Sequence, residues 1–83
     1  MKLTTKIVVE GISNDVRLDE QNAAGVKIFS VWRGPDEVGH FRLLPSGEAQ
    51  GYDLFAVNGP TQITDLEIEQ IIEETRRTKW WDA

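Results

Sequence analysis

The chain has 83 residues, 9 Lys and Arg against 14 Asp and Glu for a net charge of -5, one His and no Cys. This describes one small globular domain, residues 1–83, without a transmembrane span, since no run approaches the roughly 18 apolar residues a bilayer needs. Without Cys there is no disulfide frame, thiolate zinc site, iron–sulfur cluster or Cys nucleophile.

Leu3, Thr5, Ile7 and Val9 alternate with Lys2, Thr4, Lys6 and Glu10, the period-two pattern of a half-buried strand, with Val8 the one outward apolar residue. The same segment lacks the apolar stretch and cleavage site of a secretory signal, which predicts a cytoplasmic address. Gly11 and Ser13-Asn14-Asp15 carry turn chemistry, and Val16-Arg17-Leu18-Asp19 resumes alternation as a return strand before the polar loop 20–25.

Val26 to Arg33 is the strongest strand, with Val26, Ile28 and Trp32 on one face and Phe29 and Val31 on the other, a pattern that suits a central position. Gly34-Pro35 stops it. Val38 to Leu44 runs back with Phe41 and Leu43 on one face and Val38, His40, Arg42 and Leu44 on the other. After the turn Pro45-Ser46-Gly47 and the polar stretch 48–51, Tyr52 to Val57 forms a fifth strand, ended by Asn58-Gly59-Pro60.

The last element is a helix from about Asp65 to about Lys79. Thr64 and Glu67 form a capping box, with Ile63 and Ile68 as its hydrophobic staple. Ile68, Ile71, Ile72 and Thr75 make the apolar stripe. Asp65, Glu67 and Glu69 near the start and Arg76, Arg77 and Lys79 near the end complement the macrodipole. The expected fold is α+β, an antiparallel meander of about five strands with one C-terminal helix packed on one face; a small closed barrel with the same helix is the alternative.

No catalytic constellation emerges. His40 has no carboxylate at a known triad or metal spacing, no Ser sits in a nucleophile elbow, and the glycines lie in or near turns with no phosphate-cradling spacing. No catalytic residue, metal ligand or cofactor is expected. Trp32-Arg33-Gly34 before a C-terminal helix is too short a match to chromo-type barrels, whose second aromatic strand and basic surface are missing.

The acidic balance argues against direct nucleic-acid binding. It favours a docking role, because Asp65, Glu67, Glu69, Glu73 and Glu74 put five carboxylates and no cation between Thr64 and Glu74. Such a stripe can take the place of phosphates on a basic groove. Adjacent Trp80 and Trp81 at the helix end add a second contact candidate, one ring packing back on the sheet and the other left available. The partner-binding candidates are thus Asp65, Glu69, Glu73, Glu74, Trp80 and Trp81. The expected function is a small acidic, non-enzymatic protein-binding module, an inhibitor or adaptor of the kind phages direct at host nucleases or defence complexes. Its partner is another protein with a basic surface. The alternative is a structural, self-assembling protein, with a second copy of the chain meeting the uncovered sheet face or an edge strand to form a homodimer.

Overall fold

A computed structural model describes residues 3–57 and 59–82. Met1 and Lys2 of the expected first strand, Asn58 of the turn expected after the fifth, and the terminal Ala83 lie outside the described residues. Five strands, β1 (Thr4–Val9), β2 (Ile12–Gln21), β3 (Lys27–Arg33), β4 (Asp36–Leu43) and β5 (Ala49–Leu54), pair antiparallel in sequence order. The sheet is open, which fits the meander and not the barrel. A single-turn 3₁₀ segment (Gly59–Thr61) leads into helix α1 (Asp65–Thr78), and a second one (Trp80–Asp82) follows it.

Alternation settles which face is buried. Ile7 and Val9 of β1, Val16 of β2, Phe29 and Val31 of β3, and Phe41 and Leu43 of β4 turn toward the helix, while Val8 stays 66% exposed on the other side. Helix residues Ile68, Ile71, Ile72 and Thr75 are the buried ones, as their spacing predicts. Phe29 and Phe41, opposite one another across β3 and β4, stack with centroids 4.9 Å apart at the centre of this core.

Three local expectations are corrected. The first turn lies at Glu10-Gly11, where both residues take positive φ (51° and 77°), the requirement of a two-residue hairpin that matches strand twist. Val9 and Ile12 therefore pair directly, and Ser13-Asn14-Asp15, expected as turn, belongs to β2. Val38, expected outward, is fully buried: a β-bulge lets Val31 pair with Gly39 and Trp32 with Glu37, so Val38 is the extra residue and turns inward. Gly39 beside it is a strand residue, as the run from Val38 to Leu44 predicts. A Cβ there would stand 2.8 Å from the Asp53 carbonyl oxygen and 3.1 Å from Ile68 Cδ1, so the bare backbone is what lets the helix settle on β4. Finally, β5 begins at Ala49 and ends at Leu54, earlier at both ends than predicted, because the turn at Gly47 is tight enough to bring the polar residues behind it into the ladder.

Candidate functional site

The capping box fixes where the acidic helix begins. The Thr64 hydroxyl accepts from the Glu67 N–H at 3.2 Å, and Glu67 Oε1 accepts from the Thr64 N–H at 3.0 Å. The second oxygen of Glu67 turns inward and accepts from Arg33 Nη2 at 2.9 Å, which removes Glu67 from the exposed stripe. Burial alone pushes the Glu67 carboxyl up, but the hydrogen bonds from Arg33 and Thr64 outweigh it and hold the group below the ordinary glutamate range.

Four carboxylates remain on the outer helix surface. Asp65 accepts from the Tyr52 hydroxyl at 2.9 Å, and Glu69 approaches the same hydroxyl at 3.5 Å. The hydrogen bond to Asp65, with desolvation and the nearby Asp65 and Glu69 charges adding to it, pushes the Tyr52 phenol up to about 12. Glu73 and Glu74 lie one turn before Arg76 and Arg77, at 3.3 Å and 2.6 Å. Such exposed pairs three residues apart bind weakly and exchange readily. Leu66, one position after Asp65 and three before Glu69, is 65% exposed in their midst.

Beside this surface runs an open groove of about 440 Å³ between β1 residues Lys6 to Val9 and helix residues Gln70, Glu73 and Glu74. A smaller one, about 360 Å³, lies at the C-terminal end of the helix, lined by Lys27, Arg76, Lys79, Trp81 and Asp82 among others.

Both rings of the Trp pair fold back on the sheet, but to different depths. Lys79 ends the helix in the left-handed conformation (φ 48°, ψ 44°), and the short turn that follows brings both rings to Phe29, edge-on at 5.7 Å for Trp80 and 5.3 Å for Trp81. Trp80 is 7% exposed and belongs to the core, with its Nε1–H unpaired among the described residues. Trp81 is half-buried, with the Lys27 ammonium 5.8 Å from its ring. The terminal contact surface is thus reduced to one side of Trp81.

The sheet face away from the helix carries the other cluster. Arg17 lies 4.5 Å over Trp32, whose Nε1–H donates to Ser30 Oγ at 2.9 Å. His40 pairs in register with Ser30 on one side and Asp53 on the other, and its Nε2 sits 2.5 Å from Asp53 Oδ2, with Arg42 at 3.6 Å from the same oxygen. This is the carboxylate that no short sequence spacing could reveal, since 13 residues separate it from His40. The pair bridges β4 and β5 on this face of the sheet. Among the described residues no three His, Asp or Glu side chains gather as a metal-binding group.

Sequence reasoning missed the polar network beneath the helix start. Arg33 is 5% exposed and donates through Nε to Asn14 Oδ1 at 2.7 Å, through Nη1 to the Gln62 carbonyl at 3.3 Å, and through Nη2 to Glu67. Asn14 in turn donates to the carbonyls of Ile7 and Ile12. The available signal was parity: Arg33 shares the face of Phe29 and Val31. Comparison with protein-family models, with curated proteins and with solved structures found no match for this chain.

Proposed function

We propose that the chain is a small acidic protein-binding module of the cytoplasm, without enzymatic activity, that docks on a basic surface of another protein as an inhibitor or adaptor. The observation that carries this reading is the outer helix surface, where exposed Leu66 stands among Asp65, Glu69 and Glu73. An exposed apolar residue on a helix surface rich in carboxylates has the elements of a contact patch, an apolar centre and a polar rim. Size and charge suit the phage-type subclass, in which carboxylates take the place of nucleic-acid phosphates on a host nuclease or defence complex.

The test is differential. The wild-type chain and a Leu66→Ala, Glu69→Lys, Glu73→Lys variant, with equal stability established first, are immobilised and exposed to lysate of the native host at low and high salt. One basic protein retained by the wild type, lost by the variant and released by salt is the expected result. Equal retention by both forms, or none by either, removes this reading.

A second reading has its own support. The uncovered sheet face holds Trp32 under Arg17 and Phe55 against His40, with Lys6–Asp15 and Arg42–Asp53 pairing opposite charges across neighbouring strands. A second copy of the chain would meet such a face with both signs of charge to offer. Sedimentation equilibrium across a hundredfold concentration range decides it, and a concentration-independent monomer ends it.

A further inference from the structure

The protein-binding reading leaves the mode of docking open, and β1 supplies one. It is an edge strand, and among the described residues no strand pairs with its outer side. The Leu18 N–H donates to the Leu3 carbonyl at 2.8 Å, and the two-residue turn makes Val9 and Ile12 a directly bonded pair. Because hydrogen-bonded and non-hydrogen-bonded pairs alternate along an antiparallel ladder, Leu3, Thr5, Ile7 and Val9 spend their backbone groups on β2. Thr4, Lys6 and Val8 therefore turn their N–H and C=O groups outward, and Lys6 and Val8 do so along the wall of the 440 Å³ groove that faces Gln70, Glu73 and Glu74.

Of the usual protections of an edge, a bulge is missing here and a single Lys is present. The β1–β2 register is unbroken, whereas a shift interrupts each of the other three pairings, including that of the opposite edge strand β5. Bulges and edge charges are what normally keep such a strand from recruiting another. The one Lys on β1, Lys6, reaches across the sheet face to Asp15 at 2.9 Å. Across the groove, Glu73 and Glu74 are held only by exposed arginine pairs that a competing cation can displace.

Resting on the protein-binding reading, we propose that an extended basic segment of the partner protein adds to β1 as a sixth strand, its main chain bonding to Thr4, Lys6 and Val8 and its Lys or Arg side chains meeting Glu73 and Glu74. In strand addition the backbone supplies affinity and alternate side chains supply selectivity. A generic peptide of the right character is therefore a fair probe.

The experiment titrates the isotope-labelled full chain with a capped alternating Lys-Val decapeptide, with its Glu-Val counterpart, and with a Lys-Val peptide N-methylated at every residue, so that neither of its edges can complete a ladder. Expected are amide shifts and slowed hydrogen exchange at Thr4, Lys6 and Val8, shifts along Gln70 to Glu74, and binding at least about tenfold tighter for Lys-Val than for either control, a margin that one or two hydrogen bonds supply. Lys6→Pro removes an outward N–H together with the Lys6–Asp15 pair and leaves the β1–β2 ladder bonds in place; it weakens Lys-Val binding by about tenfold or more, while Lys6→Ala, which removes the same pair and keeps the N–H, does not. The Glu73→Gln, Glu74→Gln double variant erases the preference for Lys-Val over Glu-Val. The proposal is overturned if the peptide leaves those three amides unshifted at millimolar concentration, if the N-methylated peptide binds as well, or if Lys6→Pro binds with wild-type affinity. The protein-binding reading fails separately, in the lysate experiment: a partner held equally by wild type and Lys6→Pro discards strand addition and keeps the helix surface.

Discussion

Arg33 is the residue on which the interior most depends. Its guanidinium satisfies Asn14, the Gln62 carbonyl and Glu67, joining three separate stretches of chain. With side chains 5% and 12% exposed, Arg33 and Glu67 form a nearly buried pair. Removing one partner of such a pair costs about 3–5 kcal/mol, because the other is left charged and alone. Arg33→Ala should therefore lower the urea midpoint by most of the domain's stability, a loss that equilibrium denaturation followed by Trp fluorescence would read. Glu67 adds a pH signature. Its folded carboxyl lies below the ordinary range, so the folded state binds fewer protons; the stability it contributes is complete above the unfolded value of about 4.3 and is lost as pH falls toward the lower folded value. Glu67→Gln, which can still serve the capping box, should be less stable at pH 7 and lose less on acidification below about pH 4.3. Denaturation midpoints between neutral pH and pH 3 test this, and parallel wild-type and variant curves would refute it.

Among the elements, the helix was the most legible in sequence. Its cap, its apolar stripe and its charge bias are local signals separated by three or four residues, and all three match the structure. Thr64→Ala should cost about 1 kcal/mol, the usual worth of an N-cap, and expose the helix start to faster amide exchange. Strands were legible as to face but not as to ends. A bulge inserts one residue whose direction depends on the partner strand, which is why Val38 reads outward in sequence and lies in the core. Gly39 beside it marks where β4 and α1 approach most closely. Gly39→Ala should destabilise by about 1–3 kcal/mol, since the Asp53 carbonyl it would strike belongs to the β4–β5 ladder and has little room to move. Thermal unfolding should then fall by about 4–8 °C per kcal/mol.

At the scale of the whole molecule the chain is close to the size its length allows. Its radius of gyration is 12.0 Å, as the scaling of compact domains gives at about 12 Å. Its accessible surface is 4905 Å², against about 5,000 Å² for a folded chain of this mass. Ordering 83 residues costs about 125 kcal/mol and burial returns about 130 kcal/mol at most, so the monomer stands near balance and gains from any partner. The acidic surface acts at longer range than the groove. A partner that docks on Asp65, Glu69 and Glu73 should associate more slowly as salt rises, with dissociation nearly unchanged, because exposed charges steer encounter and are screened over about 8 Å at physiological ionic strength. Stopped-flow association at graded salt would show it, and a salt-independent rate would place the contact away from this flank.

By itself the sequence determined the fold class, the strand faces, the helix and its cap, because period-two and period-3.6 patterns and capping residues act over a few neighbours. It also determined the acidic balance, and with it the class of partner proposed. Only the tertiary structure decided which of those residues share a place. Arg33 reaches Glu67 across 34 positions, His40 meets Asp53 across 13, and both Trp rings close on Phe29 from the far end of the chain. The edge of β1 and the helix wall opposite it come from the two ends of the sequence, and the packing of α1 against β1 sets them side by side. Contacts of that kind depend on how the layers pack, which no local pattern encodes.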